Sequence, residues 1–129
     1  MTAPQSVAIF AASVVEALRT EVRWYLADQI VFAADPEVEG GLLARVPHHG
    51  GTLAIRIHAA DEWDAKLAGF EGEPGLPLGT PLLAVNWGEH PSGAFTCGTY
   101  LPGVVRAVWA ISAADAFSWA IPPTSRPMV

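Results

Sequence analysis

The chain is poor in three things, and each shortage restricts what it can be. It has a single cysteine, Cys97, hence no intramolecular disulfide, which suits a reducing compartment. It has a single lysine, Lys66, among seven basic residues that are scattered rather than clustered, against 13 acidic ones, for a net charge of −6. Nucleic acid and anionic membrane surfaces both demand a localised positive field, so neither is an expected partner. Long uninterrupted apolar runs are missing as well. The run from Val7 to Val15 has no basic residue before it and is closed by Glu16, unlike a secretion signal. The run from Val104 to Ile121 contains Arg106 and Asp115, each costly at a bilayer centre. A cytoplasmic protein is expected.

What is present is apolar material. The chain has 129 residues, 51% of them hydrophobic and 16% charged, which is enough for one buried core and excludes disorder as the general description. The apolar share is slightly high, so either both faces of a sheet are covered or some apolar surface is kept for a partner.

From Thr2 to about Ala33, Val7, Phe10, Val14, Leu18, Val22, Leu26 and Ile30 recur at threes and fours, the spacing of one helical stripe. Thr2 and Gln5 fit a capping box at its start. Residues 29–33 read equally as last helical turns or as a first strand, and Asp35-Pro36 ends either. Leu42–Val46 and Leu53–His58 form the clearest hairpin. Pairing Val46 with Leu53 and Ala44 with Ile55 gathers the apolar residues on one side and keeps Arg45 from facing Arg56. The turn between them is Pro47–Gly51.

A short helix follows, with Asp61 as N-cap, a Glu62–Lys66 pair and a stop at Gly69; Trp63 and Leu67 share a face and are expected inward. The irregular stretch from Gly69 to Pro81 carries Phe70, Leu76 and Leu78, which suit a loop pinned to the sheet or, less readily, a binding-site lid. Leu82–Trp87 and Ala94–Leu101 read as a second hairpin. Val104–Ile111 is rich in β-branched and aromatic residues and is expected as a strand, with a short helix after Ser112; one buried helix from Gly103 to Ala120 competes with that. The result is an α+β domain over 1–121: a long N-terminal helix on a mostly antiparallel sheet of about five or six strands, one short middle helix and a possible short C-terminal helix. Residues 122–129 make an extended proline-rich tail.

Chemistry is sparse. His48, His49, His58 and His90 show no metal-ligand spacing, and no metal or cofactor is expected. Glu89, His90 and Ser92 are too close in sequence for a triad, and no G-x-S-x-G elbow surrounds the serine. Cys97 lies on a strand face with Phe95, Thr99 and Leu101, as a small core hydrophobe would. If a reaction is catalysed, His58, His90, Asp61 and Asp64 are the candidates; Glu62 adds a third carboxylate to that stretch. Trp24, Trp63, Trp87, Trp109 and Trp119 suit a core, a subunit contact or a pocket. Phe70, Leu76, Leu78, Trp87, Tyr100 and Trp109 are the candidate binding residues.

The order of elements is loosely similar to that of secretion-type chaperones and other small helix-on-sheet binding domains, with no motif carrying the likeness. The leading expectation is a non-catalytic protein-interaction module that self-associates through apolar surface: chaperone-like, an adaptor or an assembly component. The alternatives are a small enzyme or small-molecule binder with an aromatic pocket under the loop 69–81, and a phage or secretion-system structural component.

Overall fold

A computed structural model of the chain describes residues 3–48, 51–70, 72, 75–87 and 96–120, those at 48, 51, 87, 96–102 and 117–120 by backbone alone. Helix α1 (Gln5–Thr20) precedes a single 3-10 turn (Ala27–Gln29) and a two-residue strand β1 (Ala33–Ala34). Strands β2 (Leu42–His48) and β3 (Gly51–Ala59), helix α2 (Glu62–Phe70), strands β4 (Pro81–Trp87) and β5 (Thr96–Pro102), and helix α3 (Val104–Ala120) follow. The fold is α+β. All pairings in the sheet are antiparallel and the strands lie in sequence order. Four strands are full length rather than five or six, because the stretch expected as the last strand is helical; β1 adds only two residues at one edge.

The central hairpin has the register its apolar pattern demands. Val46 pairs with Leu53, Ala44 with Ile55, and Arg45 and Arg56 sit opposite Ala54 and Leu43. Alternation therefore puts Ala44, Val46, Leu53, Ile55, Ile57, Leu83 and Val85 on one face, in one cluster with α1 and α3. Pairing continues through His48 and Gly51, so Pro47 lies within β2 rather than in the turn. The irregular pairing is β4 with β5: Leu83 and Val85 pair with Leu101 and Cys97, leaving three residues of β5 opposite Ala84.

Helix α1 packs on the sheet through Val7, Phe10, Ala11, Val14 and Leu18. It starts at Pro4, which accepts from the N–H groups of Val7 and Ala8 and makes no side-chain cap; Thr2 lies outside the described residues. It also stops thirteen residues short of Ala33. Val22 N–H reaches back to Ala17 O (3.2 Å) and Trp24 N–H to Leu18 O (2.8 Å), a wide closing turn with Arg23 at φ 54°. No glycine, asparagine or proline marks this stop, and a left-handed arginine costs about 1–2 kcal/mol. The turn is held by what it buries: Trp24, Leu26, Ala27 and Ile30 all join the core, whereas Val22, counted in the helical stripe, is exposed.

The largest departure from expectation is α3. Val104–Ile111 is not a strand, and the 17-residue helix is the competing single-helix reading. Ala107, Ala110, Ile111 and Ala114 recur at threes and fours and are fully buried. Alanine is the best helix former and lets the helix approach the sheet closely, and that packing outweighs the strand preference of Val104, Val105 and Val108. Gly103 makes the corner between β5 and α3 at φ 90°, and Ala107 N–H closes the first turn on its carbonyl at 3.0 Å. Nothing lies within 4 Å of where a Cβ would stand, so the glycine is needed for its conformation and not for space. The turns at 49–50 and 88–95, and the tail 122–129, lie outside the described residues. Among the described residues no helix is long and apolar enough to cross a membrane.

A substitution at this corner tests the turn between β5 and α3. Gly103→Ala is expected to destabilise the protein by about 1–2 kcal/mol in urea titration. A change within about 0.5 kcal/mol would mean that the chain does not turn at a positive φ there.

Candidate functional site

The groups that sequence reasoning singled out for chemistry lie on two elements, and part of them meet. His58 lies on the face of β3 opposite the helix-covered one. Asp61 caps α2: its Oδ1 accepts the Asp64 N–H at 2.9 Å, and Asp64 Oδ2 accepts the Asp61 N–H at 2.9 Å. This is a reciprocal capping box with a short acidic residue in its third position. The same Asp64 Oδ2 lies 2.9 Å from His58 Nε2. Asp64 is 2% exposed, so one buried carboxylate both starts the helix and fixes an imidazole on the adjacent strand. A lone buried carboxylate would be costly, and these two contacts make the burial tolerable.

The Asp64 N–H beside Asp61 is the main reason the Asp61 carboxyl titrates below the ordinary carboxylate range; the Asp64 side chain, the Trp63 N–H and nearby His58 act in the same direction against desolvation. Chemically, the arrangement orients His58 and supports α2. Glu62 is exposed at the start of α2 and takes no part in these bonds. His90, with Glu89 and Ser92, lies outside the described residues, as does His49.

The demands of Asp64 also turn α2. Trp63 and Leu67 do not both pack inward: Trp63 is 63% exposed, and the buried positions are Asp64 and Ala68. Gly69 lies inside the last turn rather than beyond it. Phe70 is 88% exposed and Leu78 is exposed too, so neither pins the loop to the sheet; Leu76 is half-buried. The loop is tied instead by its backbone, with Gly79 N–H on Ala60 O and Ala60 N–H on Thr80 O, both 2.8 Å.

A second polar cluster closes the turn before β2. Asp35, buried, accepts from the Glu37 N–H at 2.9 Å and from Arg56 Nη1 at 3.1 and 3.2 Å, and Arg56 also meets Glu37 at 2.9 Å. This network fastens residues 35–41 to β3 and accounts for Arg56 on a sheet face.

The candidate binding residues with described side chains are spread over two helices and a loop. Phe70 and Leu78 flank α2, Trp109 is exposed on α3, and Trp87 and Tyr100 are described by backbone alone. A groove of ≈ 700 Å³ lies between α1 and the start of α3, walled by Ile9, Ala12, Glu16, Glu21, Val104 and Val105. Sequence reasoning missed it. The available signal was Ile9, an apolar residue off the buried stripe of α1. Of the five tryptophans, Trp24 is buried, Trp63 and Trp109 are exposed, and the other two side chains are outside the description. Among the described residues no three His, Cys, Asp or Glu side chains gather as a metal-binding group.

Comparison with protein families, with curated proteins and with solved structures finds no match.

Two variants test the shared carboxylate. Asp64→Ala removes the carboxylate that meets His58 and accepts the Asp61 N–H, and should cost about 1–3 kcal/mol in urea titration. Asp61 has the lower value in the folded state, so its contribution is complete above the ordinary carboxylate range, begins to fall within it, and is lost as pH drops through the lower folded-state value. Asp61→Asn keeps the cap without the charge, and its Tm should fall less steeply than the parent's over that acid range; identical slopes would remove the role given to the charge.

Proposed function

We propose that the chain is a non-catalytic protein-interaction module that self-associates through the outer ridge of α2, acting as an adaptor, chaperone-like or assembly component in the cytoplasm. The observation that carries this reading is the outward setting of Trp63 and Phe70. They are seven residues apart, two turns of helix, and so stand on one stripe. Leu78, exposed on the following loop, adds to the apolar surface of this region. An isolated domain gains nothing from two exposed aromatic rings, whereas aromatic side chains are concentrated where proteins meet.

The occupant proposed is a second copy. Two antiparallel α2 helices related by a two-fold axis bring Trp63 of each against Phe70 of the other, so the ridge is complementary to itself. The three side chains supply about 400 Å² per copy, below the roughly 800 Å² per partner of a stable interface, so the association is weak and reversible. Scattered basic residues make nucleic acid and membrane surfaces unsuitable partners. A second reading, small-molecule binding or catalysis at His58, draws on the imidazole held 2.9 Å from a buried carboxylate. It would be favoured by a ligand whose binding is lost in His58→Ala.

Light scattering over a concentration series tests the leading reading. The parent chain should shift from monomer toward dimer at around 100 μM. Trp63→Glu and Phe70→Glu should each remain monomeric with unchanged circular dichroism. A parent that stays strictly monomeric, or variants that associate as the parent does, would overturn it.

A further inference from the structure

The groove between α1 and the start of α3 shares no residue with the α2 ridge. Ile9 and Ala12 of α1 stand on one side, and Val104 and Val105 of α3 on the other. Val105 is 84% exposed, and Trp109, one turn further on the same stripe and 63% exposed, extends that lip. The two hydroxyl groups along the α1 wall are already used: Ser13 Oγ donates to Ile9 O at 2.9 Å and Thr20 Oγ1 to Glu16 O at 2.8 Å. The wall is therefore apolar apart from two charges, Glu16 and Glu21, and no basic residue is among its described lining. Arg19, elsewhere on α1, does not cancel them. It lies 3.6 Å from Glu16 and 2.9 Å from Asp28, one cation between two carboxylates.

We propose that this groove receives a basic amphipathic helix of a partner protein. Both walls are helices, whose main-chain groups are bonded internally, so neither offers a ladder to an extended segment. A helix brings its own hydrogen bonds and needs only an apolar stripe, the recognition mode of helix in groove. Ala12, Ser13 and Ala17 are small and let it approach α1 closely. From Ile9 to Glu21 is twelve residues of helix, about 18 Å, which suits an occupant of about three turns. Charge decides its sign: an apolar stripe flanked by Lys or Arg answers Glu16 and Glu21, and a flank of acidic residues is repelled. A second copy supplies no such helix. α1 and α3 each carry one acidic and one basic residue, and α2 carries two acidic residues and one lysine.

The test uses the full chain and, as probe, a fluorescent peptide of about fourteen residues, with leucines at helical threes and fours, lysines on one flank and alanine elsewhere. Anisotropy should show saturable binding in the range of about 10–100 μM, with methyl shift changes at Ile9, Val104 and Val105 and a gain of helical circular dichroism. Glu16→Lys with Glu21→Lys should weaken binding about tenfold. Glu39→Lys with Glu62→Lys changes net charge equally but lines no part of the groove, and should weaken it less than about threefold. Replacing the peptide's lysines by glutamate should abolish binding. No saturable binding, equal loss in both charge-reversed pairs, or shifts confined to other surfaces would overturn the proposal. So would methyl shifts at Ile9 and Val105 that follow the concentration of the chain alone, since a second copy would then be the occupant. Trp63→Glu should bind the peptide as the parent does, which separates this groove from the α2 ridge.

Discussion

Ala44, Val46, Leu53, Ile55, Ile57, Leu83 and Val85 occupy alternate positions on three paired strands, and all of them face α1 and α3. Each fully buried Val, Leu or Ile contributes about 1.5–3 kcal/mol, so this one surface outweighs any polar contact in the molecule. Neither helix covers it alone: Val14 and Leu18 of α1 and Ala110 and Ile111 of α3 belong to a single cluster over those strands. The short stop of α1, the strained Arg23 and the corner at Gly103 follow from it. Each is a local conformation that propensity alone would not select, held because it brings apolar side chains onto the same surface.

The opposite face of the sheet is organised by charge. Arg56 is answered by Asp35 and Glu37, and His58 by Asp64. These pairs add little net stability after desolvation, but they fix where neighbouring segments lie. Asp35 holds the turn before β2, and Asp64 sets the rotation of α2. That rotation is why an aromatic residue of α2 faces outward, and it links a polar contact on the sheet to the surface proposed for self-association.

Much of this was legible in the residues. Strict alternation along Leu53–Ile57, with two arginines to keep apart, was enough to place the central hairpin in register. The buried stripe of α1 from Val7 to Leu18 was equally plain. Three features were not. The stop at Thr20 carries no punctuation and depends on distant core contacts. The helical character of α3 lay in the spacing of its alanines, while its valines argued for a strand. In α2, apolar spacing pointed to Trp63, but a capping carboxylate with a histidine partner took the inward position. Of the site, the approach of His58 to Asp64 could not be read from their separation of six residues, because it depends on how β3 turns into α2.

The claim on which the account rests is that α3 and the central hairpin form one cooperative unit through the dry face of the sheet. Native-state amide hydrogen exchange measures this directly. The account predicts that Ala107–Ala114 exchange with the same free energy of opening as Leu53–Ile57, both equal to the global value from urea titration. Exchange of Ala107–Ala114 at a small fraction of that free energy, with the hairpin still fully protected, would contradict it.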